Sequence, residues 1–343
     1  MNVVRDLGRD LAQAAGLLAL RHRLRHRETL TVVMFHRVLA PDTPAGRAAD
    51  PVYTVPAPLF AACLAFFRRH YAVVGLPAVR ASLAGGAPLP PRALLITFDD
   101  GWQDNLDVAL PLLRRAGLPA VVFAAADALG EPSAWWWQEI LLRALRTGRA
   151  GLDGLWAAAG ADDGTVPPAT EAPELALLQR YAALDPARRW QLLAPYAAGT
   201  EAEGRHMLTP AGLRALAAGL DIGAHGAAHL PLSMMDDAAA DLVRARGLLA
   251  TALGRPGQDG PDTVSFPHGR YNAAVLDAAA AAGFRILFTS DACLNAAPAG
   301  RPALLLGRIS IEAAAITNAS GALAPARLAA WLFHRPVRRL GSP

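Results

Sequence analysis

Thr97-Phe98-Asp99-Asp100-Gly101-Trp102 places two adjacent carboxylates directly after the apolar run Leu94-Leu95-Ile96. Neighbouring carboxylates repel, which raises the pKa of one of them unless a cation stands nearby. Alternation along a strand would send the two to opposite sides, but a turn at Gly101 can bring both to one site. A metal ion relieves the repulsion: one Asp binds it while the other stays free to take a proton. A second stretch, His225-Gly226-Ala227-Ala228-His229, follows Leu220-Asp221-Ile222-Gly223. Two imidazoles four positions apart on a helical turn face the same way and can share one ion, and the small residues between them leave it accessible. Taken singly, the first stretch also fits a common Asp-Asp-Gly turn and the second a pair of ordinary loop histidines. Together, one Asp and two His after strands form a three-ligand set with room for water, the pattern of catalytic rather than structural metal sites.

The elements that must position these residues alternate along the chain. Short apolar, β-branched runs predict strands at Thr31–Phe35, Leu94–Phe98, Ala120–Phe123, Leu220–Gly223, Val264–Phe266, Ile286–Thr289 and Arg308–Ile311. Helical patterns lie between them at Pro58–Arg69, Leu106–Ala116, Pro210–Ala218, Asp237–Leu253 and Asn272–Ala282. Thr209-Pro210 reads as an N-cap with proline at the first helical position, and Asp236 or Asp237 as the cap of the helix to Leu253. The expected fold is α/β, a distorted or incomplete (β/α) barrel of about seven parallel strands, although periodicity alone does not separate it from a doubly wound sheet. In a barrel the chemistry is expected where strands end, which is where both stretches fall. Residues 129 to 206 carry helical pieces at Gln138–Thr147, Pro173–Ala183 and Pro186–Ala194 without a clear strand, and read as a helical insertion. The expected organisation is an amphipathic helix over 1–28, a barrel over 29–320 and a C-terminal helix and tail over 321–343.

Composition narrows the function classes. The chain has 343 residues, 53% of them apolar, which suffices for a sizeable core. No apolar run approaches the roughly 18–20 residues of a membrane-spanning helix. All 33 basic residues are Arg and the net charge is only +4, so with no finger, ribbon or aromatic-basic signature no nucleic-acid partner is expected. Cys63 and Cys293 are too few for a disulfide framework and read as small core residues. At the N-terminus the apolar stretch Leu11 to Leu20 precedes Arg21-His22-Arg23-Leu24-Arg25-His26-Arg27, the reverse of a secretory signal. It reads either as a solvated capping helix or as an amphipathic helix resting its basic end on an anionic membrane surface. The expected location is cytoplasmic, with peripheral membrane contact open and no signal peptide evident.

Here the chain resembles the polysaccharide deacetylase family, the NodB-homology fold of carbohydrate esterase family four, and within it the exopolysaccharide deacetylases. Thr97-Phe98-Asp99-Asp100-Gly101 is similar to the family's first motif, and His225-Gly226-Ala227-Ala228-His229 with Ser233 to its second. Met34-Phe35-His36-Arg37-Val38, Gly117-Leu118-Pro119-Ala120 and Phe266-Pro267-His268-Gly269-Arg270-Tyr271 extend the likeness, which runs from about Thr31 to Ile311. The resemblance implies that Asp100, His225 and His229 hold a divalent ion, zinc being the expected metal, and that Asp99 is the general base. It implies a third-motif oxyanion donor at a backbone N–H around His268-Gly269, with Pro267 and Gly269 beside the substrate. No late Leu-x-His motif is evident, so His36 is the expected general acid and His268 the second candidate. Ser265 stands where many relatives have the Arg that orients the base, leaving that role to Arg270 or Arg308, and Asp291 could echo a residue that steadies the acid. Trp102 has the best claim to a substrate contact, while Trp135-Trp136-Trp137 reads mostly as core with one ring in the cleft. The expected function is metal-dependent removal of N-acetyl groups from an amino-sugar polymer or glycolipid. The alternatives are a deformylase or amidase acting on a lipid-linked sugar or small amide, and a catalytically silent carbohydrate-binding protein.

Overall fold

The computed structural model describes residues 16–131, 134–160, 172–296 and 304–334. Six parallel strands follow one another in space as in sequence: β1 (Thr29–Phe35), β2 (Ala93–Phe98), β3 (Val121–Ala124), β4 (Asp221–Ala224), β5 (Thr263–Ser265) and β6 (Ile286–Phe288). The last stave is broken. β7 (Leu304–Leu306) pairs in parallel with β6, and after Gly307-Arg308 the short β8 (Ile309–Ser310) pairs in parallel with β1. The break swings the chain from one end of the sheet to the other, so the expected distorted (β/α) barrel is what forms. The strand expected at Arg308–Ile311 is therefore only the second half of a stave whose first half is Leu304–Leu306.

Strand parity explains what fills the barrel. Leu30 and Val32, Ala93 and Leu95, Val121 and Phe123, Ile286 and Phe288, and Leu304 and Leu306 form one buried cluster. Their odd-step neighbours Val33, Phe35, Leu94, Ile96, Phe98 and Val122 belong to a different cluster, under the helices. Period-2 alternation buries both faces, which is why these strands read as continuous apolar runs. Gly223 lies in the crowded layer: a Cβ there would stand 2.4 Å from Phe123 and 2.9 Å from Thr263. The expected caps form as well, with Thr209 accepting from Gly212 N–H and Asp237 from Ala240 N–H.

Among the described residues the stretch 129–206 holds no strand. Its helices Trp137–Arg146, Leu152–Ala159, Pro173–Ala182 and Pro186–Ala197 gather a separate apolar cluster with Trp136, Trp137, Leu177 and Tyr181 at its heart. A feature absent from the sequence reading lies between β1 and the helix Ala57–His70. Arg37–Leu39 and Thr54–Pro56 pair as a two-stranded sheet, and the chain between them forms a strap over the C-terminal end of the barrel.

The helix Leu17–Arg25 docks through His22, whose ring stacks on Phe333 at 4.0 Å and meets Tyr71 at 4.4 Å. The rest of the expected N-terminal helix and the last residues of the expected tail lie outside the described residues. Burial first, with His26, Arg92 and His70 adding to it, pushes His22 down to about 3; burial and then Arg25 push His26 down to about 4. A detached helix therefore binds protons that the docked one refuses, so docking is strongest above pH 6.5 and is lost as the pH falls through 6.5 toward 4 and 3. Hydrogen exchange over residues 17–25 is expected to show protection at pH 7.5 that drops by pH 5, and His22→Phe should make that drop smaller, leaving the part due to His26.

Candidate metal centre

The inward parity that fills the barrel floor also builds the site above it. Continuing the inward series along each strand reaches Met34 in β1 and His36 after it, Thr97 in β2 and Asp99 after it, His225 after β4, Ser265 in β5, Ser290 after β6 and Arg308 after β7. All but Thr97 and Ser265 line a single cavity of about 300 Å³. Asp100 has the wrong parity and joins them only because the backbone turns left-handed twice, at φ 75° for Asp100 and 84° for Gly101. An Asp in that region is uncommon and costs of order 1–3 kcal/mol, which the surrounding structure must repay. The Gly101 turn also lies against β3, where an added Cβ would stand 3.0 Å from that of Ala124.

Asp100, His225 and His229 are buried and offer ligand atoms that lie within 4.8 Å of one another. Asp100 Oδ1 is 3.3 Å from His225 Nε2 and 3.2 Å from His229 Nε2. The far side of each ligand is anchored. His225 Nδ1 faces the Ser265 carbonyl at 2.8 Å, and His229 Nδ1 faces Gln138 Oε1 at 2.8 Å while that amide donates to the Ala228 carbonyl. Trp102 Nε1 donates to Asp100 Oδ2 at 2.8 Å. Both Nδ1 atoms face acceptors and so carry the ring proton, which leaves each neutral imidazole presenting an Nε2 lone pair. Three electron-rich atoms then face one another in a buried space, an arrangement that calls for a cation. Burial opposes the charge on Asp100, but its contacts with His225 and His229 hold its carboxyl well below the usual range. Burial lowers His225, yet the charge of Asp99 and the bond to Asp100 raise it overall, while His229 stays lowered by its burial. One carboxylate and two imidazoles suit zinc-like ions, and the residues present fit such a group.

The His225–His229 stretch is a loop, not the helical turn expected from its spacing. Gly226 at φ 67° and His229 at φ 52° bend it back, and Asp241 pins it by accepting from Ala227 and Ala228 N–H at 2.8 and 3.0 Å. Imidazole convergence here comes from a pinned loop rather than from helical periodicity.

Asp99 stands apart from the ligands, 3.9 Å from His225 Nε2. Arg308 grips it with both arms: Nη1 donates to Oδ1 at 2.6 Å and Nη2 to Oδ2 at 2.7 Å. Ser265 Oγ joins at 3.3 Å, and Arg308 Nε donates to the Thr289 carbonyl. Burial raises the Asp99 carboxyl, but Arg308 and then His225 outweigh it and leave it below its ordinary value. Of the two arginines proposed to orient the base, Arg308 has the position. Gly307 makes the break possible, because any Cβ there would strike Cys293 and the Asp291 carbonyl. Both cysteines are free and buried, as expected.

The other expected site residues divide. His36 lines the cavity 4.9 Å from the Tyr53 ring. His268 also lines it, its ring 4.7 Å from that of His229, and burial followed by His229 and His225 pushes it down to about 3. Gly269 lines the cavity, but its N–H donates to the Phe266 carbonyl at 3.0 Å and so is not spare for an oxyanion. Pro267 does not line it. Its ring is buried behind the histidine loop, 3.2 Å from where a Gly226 Cβ would stand, and a support for that loop replaces the expected substrate contact. Trp102 lines the cavity, yet its N–H is committed to Asp100 and its face to the Arg37 guanidinium at 4.1 Å. Asp291 accepts from Tyr271 rather than steadying His36. Of the three consecutive tryptophans Trp136 reaches the cavity, while Trp135 stacks with Trp190 and Trp137 with Arg189. Gln138, Asp241 and Tyr53 were not singled out from sequence; none sits in a spacing that marks it.

Residues 86–150 match the family model described as polysaccharide deacetylase. No curated protein sequence matches the chain. Among solved structures the chain is similar to IcaB from Ammonifex degensii (19% identity, 89% of this chain and 97% of that one, TM-score 0.55). It is similar also to the Streptococcus pyogenes deacetylase PplD (15%, 89% and 99%, 0.54) and to a de-N-acetylase from Aggregatibacter actinomycetemcomitans (17%, 81% and 93%, 0.52). At these identities the structures share the fold. With the matched segment, they bear out the resemblance first carried by the two motifs.

Replacing Arg308 with Met removes the charge that balances buried Asp99. Breaking one side of such a pair costs about 3–5 kcal/mol, so the urea midpoint should fall sharply, and Asp99→Asn added to Arg308→Met should recover part of the loss.

Proposed function

We propose that this chain removes N-acetyl groups from an amino-sugar polymer or glycolipid with the help of a divalent ion, zinc being the metal its donor set suits. The observation that carries the reading is the pairing of two adjacent carboxylates with different partners: Asp100 with two imidazoles, Asp99 with an arginine. A divalent ion held by Asp100, His225 and His229 would acidify a water molecule and polarise the acyl carbonyl. Asp99, kept ionised and aimed by Arg308, takes the proton of the attacking water. His36 returns a proton to the departing amine. Asp100 and Asp99 both favour its charged form against the burial that lowers it, whereas His268 meets chiefly the two imidazoles, which disfavour protonation. His268 N–H is the oxyanion donor consistent with the commitment of Gly269.

Acetate release from N-acetylglucosamine oligomers tests this. Wild type should turn over and carry close to one metal ion per chain. His225→Ala should lose most of that metal, and Asp99→Asn should keep it while losing at least about a hundredfold in kcat. Formate release in place of acetate would favour the deformylase reading. Full metal occupancy with no hydrolysis of any acylated sugar would favour a silent binding protein.

The helix Leu17–Arg25 supports a peripheral membrane contact. Leu17, Leu20 and Leu24 share one face and are 59%, 55% and 72% exposed, with Arg21, Arg23 and Arg27 beside them. Among the described residues no helix is long and apolar enough to cross a membrane. Vesicles containing phosphatidylglycerol should bind the full chain more tightly than phosphatidylcholine vesicles, and Leu20→Gln with Leu24→Gln should weaken that binding roughly tenfold or more. Equal binding to both vesicles would exclude the contact.

A further inference from the structure

One oxygen of Asp100 faces the two imidazoles; the other, Oδ2, accepts from Trp102 Nε1 at 2.8 Å. What holds the indole therefore also holds the carboxylate. The backbone of Trp102 is fixed from residues 206–208. Trp102 and Met207 form an antiparallel bridge, Gln103 N–H donates to the His206 carbonyl at 2.8 Å, and Leu208 N–H donates to the Gly101 carbonyl at 3.0 Å. The torsions of the side chain remain to be settled. Trp136 meets the ring edge-on at 5.2 Å, and the guanidinium of Arg37 lies over it at 4.1 Å.

Arg37 is locked in a way that suits this task. It is buried, and its Nε donates to Asp104 Oδ2 at 2.9 Å while Asp104 Oδ1 accepts from Val38 N–H at 2.8 Å. Arginine pairs most strongly with a carboxylate through a two-armed fork. Here the backbone takes one carboxylate oxygen, and Arg37 Nη1 is buried with no hydrogen-bond partner among the described residues. The geometry thus favours the contact with the ring over the fork. Burial pushes the Asp104 carboxyl up although Arg37 opposes it, and a buried ion pair adds little stability by itself. A cation over an indole is attracted to the ring face and polarises its N–H, which strengthens the bond that N–H donates.

We propose that Arg37, anchored by Asp104, is a positioning residue for Asp100 that acts through Trp102, fixing the carboxylate in the pose that receives the metal. This rests on the divalent-ion reading above. The sign of the effect separates it from plain electrostatics. A fixed positive charge lining the same cavity repels a cation, so as a charge alone Arg37 would weaken metal binding and its removal would tighten it. As a positioning residue it does the reverse.

Zinc affinity of the full chain, measured by competition with a chelator, reads that sign. Trp102→Phe keeps a ring under Arg37 but loses the N–H, and should weaken zinc binding about tenfold to a hundredfold. Arg37→Met should weaken it at least about threefold, and so should Arg37→Met with Asp104→Asn, which leaves no buried carboxylate unpaired. In the Trp102→Phe background Arg37→Met should change the affinity less than about twofold. In the metal-free chain the Trp102 indole N–H, assigned by its absence in Trp102→Phe, should lose its protection from solvent exchange in Arg37→Met. Unchanged or tighter zinc binding in both Arg37 variants, or a full additive loss on top of Trp102→Phe, would overturn the positioning role. Protection of that N–H that depends on Arg37, in a wild type that binds no zinc, would sustain the positioning role and overturn the metal reading.

Discussion

Two carboxylates side by side inside a barrel cannot both remain charged on their own, and much of the upper structure answers that constraint. Asp99 and Asp100 are each nearly inaccessible to solvent. Leaving either unbalanced would cost several kcal/mol, and one shared proton would remove the base that the proposed chemistry needs. The chain gives each a different neighbour. Asp99 faces a guanidinium that cannot lose its proton, so its ionisation does not depend on whether a metal is bound. Asp100 faces two imidazoles whose remaining nitrogens are tied to protein acceptors, so on the proposed reading a bound cation would balance it. One fixed charge and one replaceable charge let adjacent, identical residues do different work.

Much of this geometry was legible in the sequence. The six central strands were read to within a residue or two, because a barrel strand buried on both faces leaves an apolar run too plain to miss. The adjacency of the two stretches after β2 and β4 followed from their position at strand ends. Counting parity would have gone further. Asp99 lies two steps beyond Thr97 and four beyond Leu95, His36 two beyond Met34, and Arg308 two beyond Leu306, so one alternating register aims all three inward. Arg308 could not be chosen over Arg270 beforehand because its parity belongs to Leu304–Leu306, a stretch not recognised as a strand.

What stayed hidden depends on contacts between distant segments or on departures from regular backbone. The four-residue spacing of His225 and His229 suggested a helical turn, yet positive φ at Gly226 and His229 produces the convergence, and Asp241 holds it from another element. No local pattern announces that a glutamine in a helical insertion will orient a metal-ligand candidate, as Gln138 does for His229. The strap around Tyr53 was likewise invisible, since Arg37–Leu39 and Thr54–Pro56 are too short to carry a period.

Strain and support are arranged in a consistent way. Asp100, His229 and His268, three of the four non-glycine residues at positive φ among the described residues, line the cavity. Each leaves regular backbone just beyond the end of a barrel strand, where side chains can turn across the opening instead of continuing up the wall. Such positions hold only if surrounding contacts outweigh their cost. Asp100 has Trp102 and two imidazoles, His229 has Gln138, and the His268 turn closes against Ser290, with Gly269 supplying the one residue that leaves room for it. Trp102, Trp136 and Gln138 join the barrel to the insertion, so the helices between β3 and β4 do more than cover one side of it. They help hold the strained ends of the strands in the register on which the site is built.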